Sequence, residues 1–144
     1  MPQERKRKES AAERNDALIL DALESSNTAL SAYDLIEALY DQGIISPPTV
    51  YRSLARLISK GLVHRVESLN TFVSCRNHSH DPNIETLFAI CNTCGTVKEI
   101  SDKKIAARVR ALAQENDFSI SQTALEMRGS CIECQPEIPS RTRK

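Results

Sequence analysis

Two pairs of cysteines stand out in this chain, because each pair has the spacing of a metal-binding turn. Cys91 with Cys94 forms one C-x-x-C pair, and Cys131 with Cys134 forms the other. One such turn can place two thiolates on a single cation, and two turns supply the four soft ligands of a tetrahedral structural zinc site. Disulfides are a poor alternative, since loops this short are strained when they close. We therefore predict a four-cysteine zinc site.

The remaining cysteine lies close to every histidine of the chain. Cys75 is followed by His78 and His80, and His64 precedes it. Taken singly, a small buried cysteine or an exposed loop histidine needs no function. Their clustering favours a second metal site. A thiolate with imidazoles suits Zn(II), whereas Fe(II) or Mn(II) prefers harder and more numerous ligands; cobalt and nickel stay open.

A basic amphipathic stretch between Pro47 and Gly61 offers a surface for nucleic acid. Apolar residues recur there at helical spacing and predict a helix with a buried face. The cations on another face are Arg52, Arg56 and Lys60. Thr49 and Tyr51 lie near the N-terminal end, where a recognition helix contacts base edges. Such a helix on its own is more often a solvated surface helix, so the elements on either side of it are needed to interpret its function.

The elements around this helix are those of a winged helix-turn-helix. Capping boxes at Ser10 and Ser31 predict helices over 11–25 and from 31 to near Gly43. Beyond Gly61, two short strands over 62–67 and 71–74 predict a hairpin that contains Arg65. In this arrangement the third helix enters the major groove and the hairpin, or wing, lies along the DNA backbone.

The second half is predicted to be a small α/β domain clamped by the zinc. The patterns predict a strand over 96–100, a helix capped by Ser101 that ends near Asn116, and a strand-like stretch over 118–128. The fold class is therefore α+β. The predicted parts are a winged-helix domain over 1–75 with a basic, disordered arm at 1–9, a hinge loop over 76–86, a metal-binding domain over 87–134 and a disordered tail over 135–144.

Composition limits the class of protein. With 144 residues, 40% of them hydrophobic, the chain can form two small domains with modest cores. A formal net charge of +0 argues against a protein that coats nucleic acid by bulk attraction. The charged start and the lack of any long apolar run indicate neither export nor a membrane span, and an odd number of cysteines fits a reducing cytoplasm.

In combination, several motifs of the chain resemble those of the ferric uptake regulator family. These motifs are the stretches 47–54, 61–64 and 91–99 together with Cys75. The stretches 31–35 and 66–70 are similar to the zinc uptake regulator branch of that family. The resemblance covers residues 17–134. It implies a homodimeric bacterial repressor with an N-terminal winged-helix domain, a C-terminal dimerisation domain that holds the four-cysteine zinc, and a regulatory metal at the hinge.

The resemblance also implies which residues form the regulatory site. They are His64, Cys75, Glu99 and a loop histidine. The spacer between Cys75 and Cys91 is slightly longer than the family pattern, so His80 is the first choice and His78 the alternative. Asp81 and Glu85 are possible substitutes in a differently folded loop.

On these grounds we expect a zinc-responsive repressor that binds a pseudo-palindromic operator as a zinc-loaded homodimer and represses zinc-uptake genes. Each subunit would hold one structural and one regulatory Zn²⁺, and the partners would be double-stranded DNA and a second copy, with no membrane and no small organic substrate. The residues expected at the DNA are Tyr51 and Arg52 at bases, Arg56, Lys60 and Arg65 at phosphates, and Thr49 and Tyr33 beside them.

Two other functions remain open at this point. The chain could sense iron, manganese or peroxide within the same family. A zinc hydrolase could instead use His64, His78, His80 or Cys75, with Glu99 as general base. A hydrolase needs an open coordination position, and the sequence contains no H-E-x-x-H motif.

Overall fold

The computed structural model describes residues 9–44, 46–76 and 85–135. Its helices are α1 (Ala11–Ser25), α2 (Ala32–Leu39), α3 (Pro47–Ser59) and α4 (Lys103–Glu115). Its strands are β1 (Val63–Val66), β2 (Thr71–Ser74), β3 (Glu85–Cys91), β4 (Val97–Asp102) and β5 (Leu125–Gly129). Helices α1 to α3 with the β1–β2 hairpin form the winged-helix half, and the rest forms an α/β half, as the α+β prediction requires.

Both predicted capping boxes start the helices that they were expected to start. The Glu13 backbone N–H donates to Ser10 Oγ at 3.2 Å, and the Ser10 N–H donates to Glu13 Oε2 at 2.8 Å. The same reciprocal pair joins Ser31 and Asp34, at 3.1 Å and 2.7 Å. Each box satisfies backbone donors that a helix start leaves without an intrahelical partner.

Helix α3 begins and ends where its sequence dictates. The Thr49 N–H donates to the N-cap Ser46 Oγ at 3.4 Å, and prolines occupy the first turn, where a missing N–H costs no hydrogen bond. Beyond the C-cap, Gly61 has a φ of +71°, which a glycine adopts without strain. The chain then turns directly into β1, so only a short turn separates α3 from the wing.

One aliphatic core holds the winged-helix half together. Its most buried members are Ile19 of α1, Leu35 of α2, Val50 and Leu54 of α3, and Val63 of β1. Each comes from the apolar face of its own element, so the three helices and the hairpin share a single interior. A fully buried aliphatic side chain of this size contributes about 1.5–3 kcal/mol.

The wing is an antiparallel hairpin with a tight end. Strands β1 and β2 pair in register from Val63↔Ser74 to Val66↔Thr71. A 3₁₀ turn over Glu67–Leu69 and a left-handed Asn70, at φ +49°, close the hairpin. Leu30, between α1 and α2, exchanges both backbone hydrogen bonds with Phe72 and so adds an edge to the wing.

The sheet of the α/β half has the strand order β4-β3-β5, with β3 antiparallel to β4 and parallel to β5. The central strand, β3, was not predicted. Its apolar run over 87–91 lacks the alternation of a half-buried strand, because residues on both of its faces are at least half-buried. Helix α4 packs against β3 through the buried Ala106.

Two predicted details of this half are wrong. Strand β4 runs on to Asp102, and the carboxylate of Asp102 rather than Ser101 caps α4 by accepting from the N–H groups of Lys104 and Ile105 at 2.7 and 3.0 Å. The strand-like stretch over 118–128 contains only the short strand Leu125–Gly129. Phe118 and Ile120, which precede it, are apolar but have no ladder partner among the described residues.

A second, smaller core joins the two halves. It consists of Val66 at the end of β1 together with Phe88 and Ile90 of β3. Two polar contacts accompany it: a β-bridge between Thr28 and Thr96, and a hydrogen bond from the Ser68 N–H to Glu126 Oε1 at 3.1 Å. The two halves therefore contact each other directly.

None of the helices among the described residues is long and apolar enough to cross a membrane.

Candidate metal centres and nucleic-acid interface

The structure brings the two C-x-x-C pairs together at one end of the α/β half. One ligand atom from each of Cys91, Cys94, Cys131 and Cys134 lies within 4.8 Å of the others. The first pair starts at the end of β3, and Gly95 completes its turn at a φ of +74°. The second pair follows β5, which lies beside β3, so the parallel pairing of β3 with β5 determines that the two turns meet. Four sulfurs at this separation form a cluster that could hold a structural zinc.

The surroundings of these thiols favour their ionised form at Cys91. Backbone N–H groups of Cys94, Cys131 and Thr93 lower the pKa of the Cys91 thiol to about 5. The Thr96 hydroxyl, 3.1 Å from Cys94 Sγ, contributes to the lowering of the pKa of Cys94. Hydrogen bonding to Cys131 and Cys94 raises the pKa of Cys134 to about 12, because a further negative charge among close sulfurs is costly. A divalent cation would offset that repulsion.

A second cluster lies where the wing meets the α/β half. Ligand atoms of His64, Cys75 and Glu99 lie within 4.8 Å of one another. His64 Nε2 is 3.5 Å from Glu99 Oε1, and Cys75 Sγ is 3.8 Å from the same oxygen. Glu99 lies far from His64 and Cys75 in the sequence, and the packing of β4 beside β1 and the exit of β2 brings the three together.

The electrostatics of this second cluster fit a cation. Burial favours the protonated form of the Glu99 carboxyl, but the nearby His64 imidazole and the hydrogen bond donated by the Arg76 backbone N–H outweigh it and hold the pKa of Glu99 below its usual value. His64 Nε2 is buried and has no hydrogen-bond partner within the described part of the chain. A buried nitrogen without a hydrogen bond is costly, and a metal ion would satisfy it. Imidazole, thiolate and carboxylate together are suitable ligands for Zn(II).

Phe88 packs beside this cluster, and no sequence pattern singled it out. Its ring centroid is 5.7 Å from that of His64, and its ladder partner on β4 is Glu99. One face of the sheet thus positions the carboxylate and packs against the imidazole.

The predicted loop ligands His80 and His78 lie outside the described residues, as does the possible substitute Asp81. Glu85 begins β3, but its side chain is not described. The choice of a fourth ligand therefore stays a prediction.

Several predicted DNA contacts are exposed on α3 and around it. Tyr51, Arg52 and Lys60 are exposed, and Thr49 is half-buried beside the N-cap. Arg52 Nε donates to the Pro48 carbonyl at 3.2 Å, which holds the side chain against its own helix. On α2, Tyr33 is 74% exposed.

Arg65 projects from the wing and is held at its tip. Its Nη2 donates to Asn70 Oδ1 at 2.7 Å, and its Nε is 3.7 Å from Glu67 Oε2. The wing arginine is thus oriented by the turn that closes the hairpin.

Arg56 differs from the other predicted contacts, because its guanidinium is paired with a buried carboxylate. Its Nε and Nη2 donate to both carboxylate oxygens of Asp16 on α1. No role was predicted for Asp16, although its position along α1 indicates one. Asp16, Ile19 and Leu23 share the buried face of this helix. An acid within an apolar stripe indicates a partner in the interior.

Together, the fold and the two ligand clusters define a winged-helix protein with two candidate metal centres. A model of the ferric uptake regulator family matches residues 10–128. The zinc uptake regulation protein of Escherichia coli (strain K12) is 34% identical over 117 residues, which cover 81% of this chain and 68% of the relative. The ferric uptake regulation protein of the same strain is 36% identical over 120 residues, which cover 80% of this chain and 77% of the relative.

A solved structure of a zinc uptake regulator complexed with zinc and DNA superposes with a TM-score of 0.77 at 32% identity, covering 83% of this chain and 80% of that one. The chain belongs to the ferric uptake regulator family, as its motifs indicated. This is a family of transcription regulators rather than enzymes, so the hydrolase alternative is rejected.

Proposed function

We propose that this regulator is a zinc-responsive repressor that acts in the cytoplasm, binds pseudo-palindromic operators as a zinc-loaded homodimer and represses zinc-uptake genes. The observation that carries the proposal is the cluster of His64, Cys75 and Glu99. Two of these residues belong to the winged-helix half and its exit, and the third belongs to β4. A ligand set shared by both halves is suited to control the angle between them.

The mechanism that we propose follows from this shared position. A bound Zn²⁺ would supply a divalent charge, and the carboxylate, the thiolate and the imidazole would have to lie together to bind it. His64 and Cys75 would hold the ion from the wing side and Glu99 from the sheet, while Phe88 of the sheet packs against His64. With the three residues drawn together, the recognition helices of two subunits would match successive major-groove faces; otherwise the binding-competent arrangement would be rarer.

The four-cysteine cluster would hold the second zinc of each subunit in a structural role. Four protein ligands leave no open coordination position. The site would tie the turn after β3 to the turn after β5 and so stabilise a small half of the molecule, whose own apolar core is slight.

A second copy of the chain is the partner that we propose for the apolar surface of the α/β half. Large apolar side chains lie exposed there: Leu112, Phe118, Ile120, Met127 and Ile132. Within the described sheet, β5 pairs with β3 on one side only, so its outer edge can accept another strand. Light scattering should give the mass of a dimer, and a monomer mass would contradict this part of the proposal.

The decisive experiment is binding of the purified protein to a labelled pseudo-palindromic duplex at buffered free zinc, with iron(II) and manganese(II) in parallel. We expect tight, specific binding only as zinc rises, because the donor set of the hinge cluster is matched to zinc. The 36% identity to a ferric regulator makes iron the main competitor. Binding that follows iron or manganese, or that ignores zinc, would overturn the zinc assignment.

Arg52 is the first candidate for base readout, since it is exposed near the N-terminal end of α3. Arg52→Ala should weaken binding to the operator by about 1–3 kcal/mol and weaken binding to an unrelated duplex much less. Fluorescence anisotropy with both duplexes measures the two losses. Lys60→Ala is the control, since a phosphate contact should lose affinity for both duplexes equally; the same pattern for Arg52→Ala would disprove its role.

A further inference from the structure

We propose that Asp16 is a specificity-determining residue that withholds the Arg56 guanidinium from the DNA backbone. The proposal rests on the proposed DNA-binding function and assigns Arg56 a role other than the phosphate contact predicted from the sequence. It concerns how strongly the protein binds DNA that does not contain its operator.

The geometry of the pair is that of a closed, two-pronged ion pair. Arg56 Nη2 donates to Asp16 Oδ1 at 2.7 Å, and Arg56 Nε lies 3.0 Å from Oδ2 and 3.2 Å from Oδ1. Arg56 Nη2 also donates to Ser53 Oγ at 2.9 Å, and Ser53 is fully buried. Lys60 Nζ is 3.9 Å from Asp16 Oδ2, a looser contact. The Nε–Nη2 edge of the guanidinium is thus committed within the protein.

Burial makes this commitment difficult to reverse. Asp16 is only 6% exposed, whereas Arg56 keeps 39% of its side chain exposed. Burial favours the protonated form of the Asp16 carboxyl, but its hydrogen bonds with Arg56 and Ser53 outweigh that effect and lower its pKa. A move of Arg56 to a phosphate would leave a buried carboxylate without its main partner, which is unfavourable.

The charge of the pair explains why it would matter for specificity. Non-specific affinity for DNA comes from cations that neutralise phosphates and release counterions. Arg56 paired with Asp16 has no net charge to contribute, whereas the exposed Arg52 and Tyr51 stay available to bases. Asp16 would therefore lower binding to random sequence while leaving base readout intact, and so raise the ratio between the two affinities.

The test measures the dependence of non-specific binding on salt, in the zinc-loaded full chain, with a random-sequence duplex. Asp16→Asn should free Arg56 and steepen the slope of log K against log[salt] by about 0.9 per subunit. Asp16→Asn with Arg56→Gln should restore the wild-type slope. Asp21→Asn is the matched control: it removes an exposed acid from the same helix, without releasing an arginine, and should change the slope little.

The double variant keeps the proposal falsifiable if Asp16→Asn alone does not fold, since its two amides can still hydrogen-bond to each other. A double variant whose slope is shallower than wild type by about 0.9 per subunit would show that Arg56 contacts phosphate in the native protein, and would overturn the proposal. Equal steepening in Asp16→Asn and Asp21→Asn would also overturn it. Operator binding by the wild type, measured beside these, reports separately on the proposed function. If the wild type does not bind the operator but the salt slopes are as expected, the proposed function alone is rejected.

Discussion

At the scale of single residues, Cys75 does most to identify the chemistry of the hinge. It is the only soft ligand in the cluster with His64 and Glu99, and it is 7% exposed. A buried thiol is ordinarily an inert apolar group, so sequence alone leaves its role open. Its position 3.8 Å from Glu99 Oε1 favours a ligand instead.

Cys75→Ser should reduce the zinc affinity of the hinge site by roughly 100-fold or more, because loss of a direct ligand exceeds the 10–100-fold cost of losing an outer hydrogen-bond partner. DNA binding should then require correspondingly more free zinc. Zinc content by mass spectrometry and anisotropy at buffered zinc measure both effects.

Arg76→Ala is the matched control for that variant, because Arg76 contacts Glu99 through its backbone N–H, which the substitution leaves in place. Unchanged zinc dependence in Cys75→Ser would remove Cys75 from the site.

At the scale of elements, the helices of the winged half depend on their caps. Helix α2 is short, Ala32–Leu39, and short helices are marginal without a cap and tertiary packing. Its box joins Ser31 and Asp34, and hydrogen bonds from the Ser31 hydroxyl and backbone N–H lower the pKa of the Asp34 carboxyl. The cap is therefore also a source of pH dependence.

Ser31→Ala should lower the free energy of unfolding by about 1 kcal/mol at pH 7. Because the pKa of Asp34 is depressed in the folded state, its contribution is present above the unfolded value near 4 and is lost as the pH falls through the lower folded value. The difference between wild type and variant should therefore shrink below about pH 4. Urea unfolding at several pH values measures it.

Ser59→Ala is the control for the cap, since Ser59 ends α3 exposed. A cost for Ser31→Ala that stays constant down to pH 2 would contradict the assigned role of Asp34.

At the scale of the whole molecule, the contacts between the halves do not depend on the hinge ligands alone. The Ser68 N–H to Glu126 hydrogen bond ties the tip of the wing to β5, and Val66 packs on Phe88 and Ile90. Hydrogen bonding from Ser68 lowers the pKa of Glu126, so the carboxylate is ionised in this contact. These contacts would stabilise the arrangement in which His64, Cys75 and Glu99 already lie close together.

Glu126→Ala should weaken this arrangement and lower the apparent zinc affinity of the hinge site by about twofold to threefold, because an exposed hydrogen bond contributes at the low end of its usual range. The four-cysteine zinc should be retained. Competition with a zinc chelator measures both sites.

Glu115→Ala is the control for Glu126, since Glu115 pairs with Arg108 on its own helix, α4. Equal zinc affinity in Glu126→Ala and wild type would show that this contact does not couple the halves to the metal.

The features that depend on neighbours along the chain follow from the sequence alone. The capping boxes, the proline start of α3, the glycine after it and the C-x-x-C turns are local rules of hydrogen bonding and backbone freedom, and their elements formed as expected. The motifs also sufficed for the family.

The features that depend on contacts between distant parts of the chain follow only from the folded structure. Strand β3 was not predicted, because burial on both faces removes the alternation of apolar and polar residues. Asp102 rather than Ser101 caps α4, because β4 extends through Ser101 to pair with β3. Similarly, the sequence predicts that Arg56 is a free cation. Only the packing of α1 on α3 shows that a buried carboxylate binds it. The role of a charged side chain depends on the group that it contacts, and the spacing of residues along the chain does not reveal that group.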